Sequence, residues 1–181
     1  MLVHAAAGGV GLLLTQIVKL RGARVIATTG SEEKAELARG AGADRVVGYD
    51  TFSDEAREFS GGGGVAVVYD GVGRATFDGS LAALRPRGTM VLYGAASGQP
   101  DPVAVRRLHE CGSLYLTRPG LPNYIATRHE LLWRAAEVFG WITDGRLHVR
   151  IGARYPLADA RHAQEELAAR RTTGKVLLLP R

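Results

Sequence analysis

The chain opens MLVHAAAGGVG, residues 1–11, and the reading of this stretch decides the fold. Leu2 to Ala6 are a short apolar run of the kind that makes a buried strand. A glycine cluster follows at once. From Val10 onward apolar residues recur at Leu13, Leu14, Ile17 and Val18, the spacing of one helix face. Strand, glycine turn and helix in that order match the context of a dinucleotide fingerprint, G-x-G-x-x-G. Ala6 stands at its first glycine, Gly8 at the second and Gly11 at the third. Gly8 lets the backbone approach a pyrophosphate, and Gly11 lets the helix pack closely on the strand. The helix start offers free N–H groups and a positive dipole end to phosphate. A plain glycine turn between strand and helix is the competing reading.

Working outward, the same alternation continues. Apolar runs at 24–28, 45–48, 65–69, 89–93 and 113–116 read as five more strands. Helical patterns lie between them. One starts at Ser31, a plausible N-cap with Glu32 and Glu33 in the first turn, and stops near Gly40. Another begins at about Ser53, and a third covers Ala75 to Leu84 and ends at Pro86. Gly61 to Gly64 form a turn, and 95–102 a loop rich in glycine and proline. Continuous apolar strands alternating with helices predict an α/β fold: a Rossmann-type, doubly wound parallel sheet of about six strands over residues 1–145. After residue 125 the rhythm changes. A helix over Thr127–Thr143 carries Leu131, Leu132, Ala135, Val138 and Phe139 on one face. Leu147 to Ile151, a helix over Ala158–Arg170 and the run Lys175–Leu179 then make up a C-terminal helix-strand tail, 146–181, with no obvious continuation of the alternating pattern.

Composition narrows the functional classes. With 181 residues, 46% hydrophobic and 23% charged, the chain builds one domain with a real core, or one domain plus an appendage. The net charge is +5, but the arginines are scattered singly with no dense basic run, which argues against nucleic acid. Cys111 is the single cysteine, so no disulfide within the chain and no cysteine zinc site is expected. The five histidines show no metal-ligand spacing. Nothing resembles a signal peptide or a membrane span, and a cytoplasmic protein is expected.

The end of the second strand bears on the cofactor. Domains that bind NAD usually place an acid there to hold the ribose 2′-hydroxyl. This chain has Thr28-Thr29-Gly30-Ser31, with no acid before Glu32 and with Lys34 in the first turn of the next helix. That pattern leaves room for a 2′-phosphate and supplies a cation, so NADPH is expected; a solvated surface role is the alternative for Lys34. The other strand ends carry Tyr49, Asp70-Gly71-Val72-Gly73 and Tyr93-Gly94-Ala95-Ala96-Ser97. Glycines at these positions suggest backbone packed close against a flat ligand.

Six stretches together carry a resemblance: HAAAGGVG (4–11), GSEEKAELARGAGAD (30–44), VVYDGVGRATFDGSLAALRPRG (67–88), GSLYLTRPGLPNYIATRHEL (112–131), RIGARYPLADA (150–160) and RRTTGKVLLLP (170–180). They resemble the quinone oxidoreductase (zeta-crystallin-like) branch of the zinc-free medium-chain dehydrogenases and reductases. The resemblance implies an NADPH-dependent oxidoreductase that passes hydride to a quinone or another conjugated carbonyl. An enoyl or alkenal reductase, or a non-catalytic NADPH-binding protein, are the other readings. Carried over residue by residue, cofactor contacts fall on Gly9 and Val10 beside Gly8 and Gly11, then on Gly30, Ser31 and Lys34 at the adenosine phosphate, and on Tyr49. Val72, Gly94, Ala95 and Ala96 are implied on the nicotinamide side, with Leu116, Thr117 and Arg118 nearby. Arg170, or its neighbour Arg171, is implied as a second cation for the phosphate. No catalytic side chain and no metal ligand is assigned. The resemblance also implies a homodimer joined through the sixth strand, 113–116. Members of the family carry a preceding GroES-like domain, which residues 146–181 complete; the chain as written is expected to lack it. Val176 to Leu179 are then expected to find another surface, stay partly exposed or associate between chains.

Overall fold

A computed structural model describes residues 1–180. In chain order the elements are β1 (Leu2–Val3), α1 (Gly9–Leu20), β2 (Ile26–Thr28), α2 (Glu32–Gly40), β3 (Arg45–Val47), α3 (Phe52–Phe59), β4 (Val65–Asp70), α4 (Phe77–Ala83), β5 (Leu84–Leu92), α5 (Val105–Glu110), β6 (Tyr115–Thr117), α6 (Leu121–Tyr124), α7 (Arg128–Thr143), β7 (Ile151–Pro156), α8 (Ala160–Ala168) and β8 (Lys175–Leu179). Six strands form one sheet in the order β3-β2-β1-β4-β5-β6, and every neighbouring pair is parallel. This is the doubly wound Rossmann-type arrangement that the alternating pattern predicts.

Both faces of the sheet are buried, which is why its strands are continuous apolar runs rather than alternating ones. β1 shows this in two residues. Leu2 packs into a core with Phe52, Phe59, Phe77 and Leu81 from α3 and α4. Val3 packs into a second core with Val18 of α1 and Ala38 of α2 on the other face. No helix among the described residues is long and apolar enough to cross a membrane.

Several expected boundaries move, each for a local reason. β1 ends at Val3 rather than Ala6, because Ala5 takes a positive φ of 50° and turns the chain. α4 starts at Phe77 rather than Ala75. The Thr76 amide closes a turn on the Gly73 carbonyl, and the Thr76 hydroxyl goes to Asp70 instead of capping the helix. β5 follows α4 with no loop, and its register against β4 shifts between Val65 and Val67 before regular pairing begins at Thr89. The short helices α5 and α6 were not expected. α7 covers the expected stretch and starts from a Thr127–Glu130 capping box, but its apolar face is not buried. Leu131, Leu132 and Phe139 stand exposed. The helix meets α1 on a neighbouring face, where Arg21 pairs with Glu137 and lies over the Trp141 ring.

Alternation continues in the tail, where the sequence offers no obvious sign of it. β7, α8 and β8 are a further strand-helix-strand unit, with β7 and β8 parallel in a separate two-stranded sheet. Leu177, Leu178 and Leu179 of β8 remain 37%, 37% and 43% exposed, so the partly exposed outcome holds within this chain. The loop before β8 folds back on the glycine turn. The Gly174 amide donates to the Ala7 carbonyl at 2.9 Å, and Gly8 and Gly174 form an isolated parallel bridge.

The tightest approach at the glycine turn is at Gly11. A Cβ there would lie 2.4 Å from the Ala5 carbonyl oxygen and 2.6 Å from the Ala6 Cα, both backbone atoms of the turn. Gly11→Ala should therefore cost about 3 kcal/mol. Gly40, which has open space around its Cα, is the control: Gly40→Ala should be neutral or stabilise α2 by about 0.5 kcal/mol. Urea unfolding of the two variants reads the difference. Equal midpoints would contradict the packing role of Gly11.

Candidate cofactor site

The strand order reverses direction between β1 and β4, and the loops leaving their carboxyl ends part to open a crevice. A cavity of about 420 Å³ lies there. Its wall is drawn from Ala5, Ala7, Gly8 and Gly9 after β1, Thr29 and Gly30 after β2, Lys34 of α2, Tyr49 after β3, Val72 after β4 and Ala96 after β5. Leu167, Arg170, Thr172 and Gly174 of the tail close it. A second cavity of about 400 Å³ continues past Gly30, Ser31, Tyr49 and Asp50.

The donor chemistry fits a phosphorylated ligand. α1 has Gly8 at its N-cap with no side-chain cap and no acid in its first turn, so its leading amides are left to external acceptors. Two cations, Lys34 and Arg170, lie on the first cavity, and no Asp or Glu does. The Lys34 ammonium donates to the Arg170 carbonyl, so it already spans the gap between α2 and the tail. Ser31 caps α2 by accepting from the Lys34 amide at 3.4 Å, which fixes where the lysine leaves the helix. Arg171 is engaged elsewhere: its guanidinium pairs with Glu166 at 2.6 Å, which raises the arginine above its ordinary range and lowers the carboxylate. Of the two neighbouring arginines, Arg170 is the one on the cavity.

Of the sixteen residues expected at a cofactor, Gly8, Gly9, Gly30, Lys34, Tyr49, Val72, Ala96 and Arg170 line the first cavity, while Ser31 lines the second. The others lie elsewhere. Val10 is half exposed on the first turn of α1. Gly11 is buried and faces the strand end. Gly94 and Ala95 are packing positions: a Cβ on Gly94 would meet the Gly71 carbonyl at 2.5 Å, and one on Gly73 the Gly98 carbonyl at 2.5 Å and the Ala95 Cα at 3.0 Å. These glycines let two turns of the protein approach each other. Leu116, Thr117 and Arg118 sit at the end of β6 outside both cavities, where Arg118 donates to the Leu92 carbonyl at 2.9 Å. Among the described residues no group of three metal-ligating side chains comes together.

Sequence reasoning missed a polar cluster directly behind the cleft. His4, Thr28, Asp70, Thr76 and Ser80 are all buried, at strand ends, in α4 or in the turn just before it. His4 Nδ1 lies 2.9 Å from Thr28 Oγ1, and Nε2 lies 2.9 Å from Ser80 Oγ. The Asp70 carboxylate accepts from the Val72 and Gly73 amides and from the Thr76 and Ser80 hydroxyls. The signal was a histidine and an aspartate each ending an otherwise apolar strand. Burial pushes the His4 imidazole down to about 4, against the opposing pull of the Asp70 charge. Burial first, then Asp70 and Tyr49, pushes the Tyr93 phenol up to about 12, so it keeps its proton at neutral pH. Leu167, Thr172 and Gly174 were also missed, because only the fold-back of the tail brings them to the cavity.

Comparison with known proteins places these features in a family. A profile described as zinc-binding dehydrogenase matches residues 9–126. A quinone oxidoreductase of Salmonella typhimurium is 46% identical over 183 residues, a match that takes in 99% of this chain and 56% of that protein. A 2-haloacrylate reductase of a Burkholderia species is 42% identical, over 99% of this chain and 55% of that protein. A mycobacterial protein solved as a complex with NADPH superposes with a TM-score of 0.95 at 52% identity, over 98% of this chain and 57% of that one. The chain thus spans about half the length of the relatives it matches.

The buried imidazole gives the fold a pH signature. His4 stays neutral down to about pH 4 in the folded chain, whereas an exposed imidazole takes up its proton near 6.5. Between these values the unfolded chain binds a proton that the folded chain refuses, so stability held above pH 6.5 is lost as the pH falls toward 4. The loss attributable to His4 should be about 3 kcal/mol. Urea midpoints across this window should flatten in His4→Gln relative to wild type; parallel profiles would contradict the assignment.

Proposed function

We propose, from the premise that this chain belongs to the zinc-binding dehydrogenase family, that it holds NADPH in the crevice between β1 and β4. On this reading the whole protein reduces quinones by hydride transfer. The observation that carries the proposal is the wall of the first cavity: uncapped α1 amides at one side, Lys34 and Arg170 at the other, and no carboxylate. A carboxylate would repel a 2′-phosphate, while two cations select for it.

When bound, NADPH supplies the hydride, and the residues of this chain hold, orient and shield it. The first-turn amides of α1 take the pyrophosphate. Ser31, Lys34 and Arg170 take the 2′-phosphate. Tyr49 lines the adenosine side. Val72 and Ala96 form the wall toward the nicotinamide, with Leu116, Thr117 and Arg118 beyond it. A quinone spreads the incoming charge over its own ring and oxygens, so no side chain here is assigned a proton-transfer role.

Residues 1–145 form the nucleotide-binding domain on this reading, and 146–181 belong to a second domain of the whole protein. The exposed leucines of β8 support that division. β6 lies at the sheet edge with Tyr115 62% exposed, which supports a homodimer joined there. The similarity to a 2-haloacrylate reductase supports a second reading, reduction of an activated alkene from the same cofactor seat.

Fluorescence titration with NADPH and NADH tests the cofactor assignment. NADPH should bind the tighter, and Lys34→Ala should weaken NADPH by about tenfold to a hundredfold while leaving NADH unchanged. Equal binding of both nucleotides, unaffected by the substitution, would overturn it. NADPH oxidation followed with p-benzoquinone and with 2-haloacrylate separates the two acceptor classes, the first being expected to turn over faster.

A further inference from the structure

The polar groups behind the cleft form one continuous line, and donor chemistry fixes its direction. Asp70 Oδ1 faces two backbone amides, Val72 at 2.7 Å and Gly73 at 3.0 Å, which can only donate. Oδ2 faces the hydroxyls of Thr76 at 2.7 Å and Ser80 at 3.0 Å. No lysine or arginine among the described residues pairs with this carboxylate. Asp70 is therefore a fourfold acceptor, and Ser80 gives it the one proton its hydroxyl has. The Ser80 oxygen is left to accept from His4 Nε2, so Nε2 carries the ring proton. His4 Nδ1 is then a lone pair and accepts from the Thr28 hydroxyl. The Thr28 oxygen in turn accepts from the Ala5 amide at 3.3 Å. The opposite direction fails at Thr28. Its oxygen would receive both the Ala5 and the His4 protons, and its own proton would point at no acceptor inside a wholly buried site.

We infer that this line, which runs donor to acceptor from Ala5 through Thr28, His4 and Ser80 to the Asp70 carboxylate and is met there from the other side by the Val72 amide, sets the distance between the phosphate turn and the nicotinamide-side turn, which makes His4, Ser80 and Asp70 positioning residues for the cofactor. Its two ends are both cavity wall, Ala5 at the glycine turn and Val72 after β4. Ala5 is held in a left-handed conformation that a non-glycine residue adopts only under constraint, and Thr28 supplies that constraint through its hydroxyl and its carbonyl. Apolar side chains would fill the same space without the cost of desolvating a ring and a carboxylate. What the polar line adds is fixed geometry between two backbone turns. The inference rests on the NADPH reading above only for what those turns hold.

Two measurements on the chain without nucleotide test the line itself. Long-range ¹H–¹⁵N correlation spectra at pH 7 should show His4 neutral, with its proton on Nε2; a proton on Nδ1, or an imidazolium, would overturn the proposal. Amide exchange in Ser80→Ala should quicken about tenfold or more at Ala5 and Val72, at both ends of the line, while Val68 in the centre of the sheet keeps its rate. Acceleration spread evenly over the core, or none at Ala5, would overturn it. A third measurement joins the line to the cofactor. Ser80→Ala should bind NADPH about tenfold more weakly than wild type, and unchanged affinity would refute the positioning role. Failure of the wild-type chain to bind NADPH would instead defeat the cofactor reading, and the tautomer and exchange results would still decide the line.

Discussion

The rest of the structure depends on one close approach: the start of α1 against the exit of β1. With no Cβ at Gly11, the helix backbone sits on the Ala5–Ala6 backbone at a separation that no other residue permits. That contact aims the uncapped end of α1 along the carboxyl edge of the sheet. It also places the turn at the point where strand order reverses, so the loops after β2, β3, β4 and β5 face it across a crevice. A helix that started a few ångströms farther out would leave its amides in solvent, and the cavity would lose one wall.

On the proposed reading, charge gives the crevice its selectivity. The helix end is one positive element, and Lys34 and Arg170 form the other, carried by segments far apart in sequence. The tail matters here for more than its own fold. By bonding Gly174 to Ala7 and presenting the Arg170 carbonyl to Lys34, it makes the glycine turn a covered site rather than an open ledge. The polar line behind the turn works from the opposite side. Cover and backing constrain the same few residues, 5 to 9, from two directions.

The main sheet was legible because burial on both faces leaves a plain signal, a run of adjacent apolar residues such as Val65 to Val68. The glycine turn was legible because Gly11 has a steric reason to be there. Other features were not, for physical reasons. α7 carries an apolar face that periodicity assigns to a core, yet Leu131 and Phe139 meet no core within this chain. β7 hid because it alternates half-buried and exposed residues and pairs with a strand more than twenty residues away. At the site, Lys34 and Tyr49 could be read from their place at strand ends. Gly94 stands at such an end too, and its close packing on the Gly71 carbonyl could not be read from spacing, because the partner turn comes from another strand end. His4 and Asp70 looked like isolated polar residues because their partners, Thr28 and Ser80, come from other elements.

The account turns on the claim that the glycine turn, the start of α2 and the tail loop form one seat for a phosphorylated nucleotide. Hydrogen-exchange mass spectrometry of the chain with and without NADPH tests it most directly. The account predicts slowed exchange in three separate segments at once, 5–12, 29–35 and 169–175, with little change in α5 and α7. Protection confined to one of those segments, or centred on α7 or the edge strand β6, would contradict it.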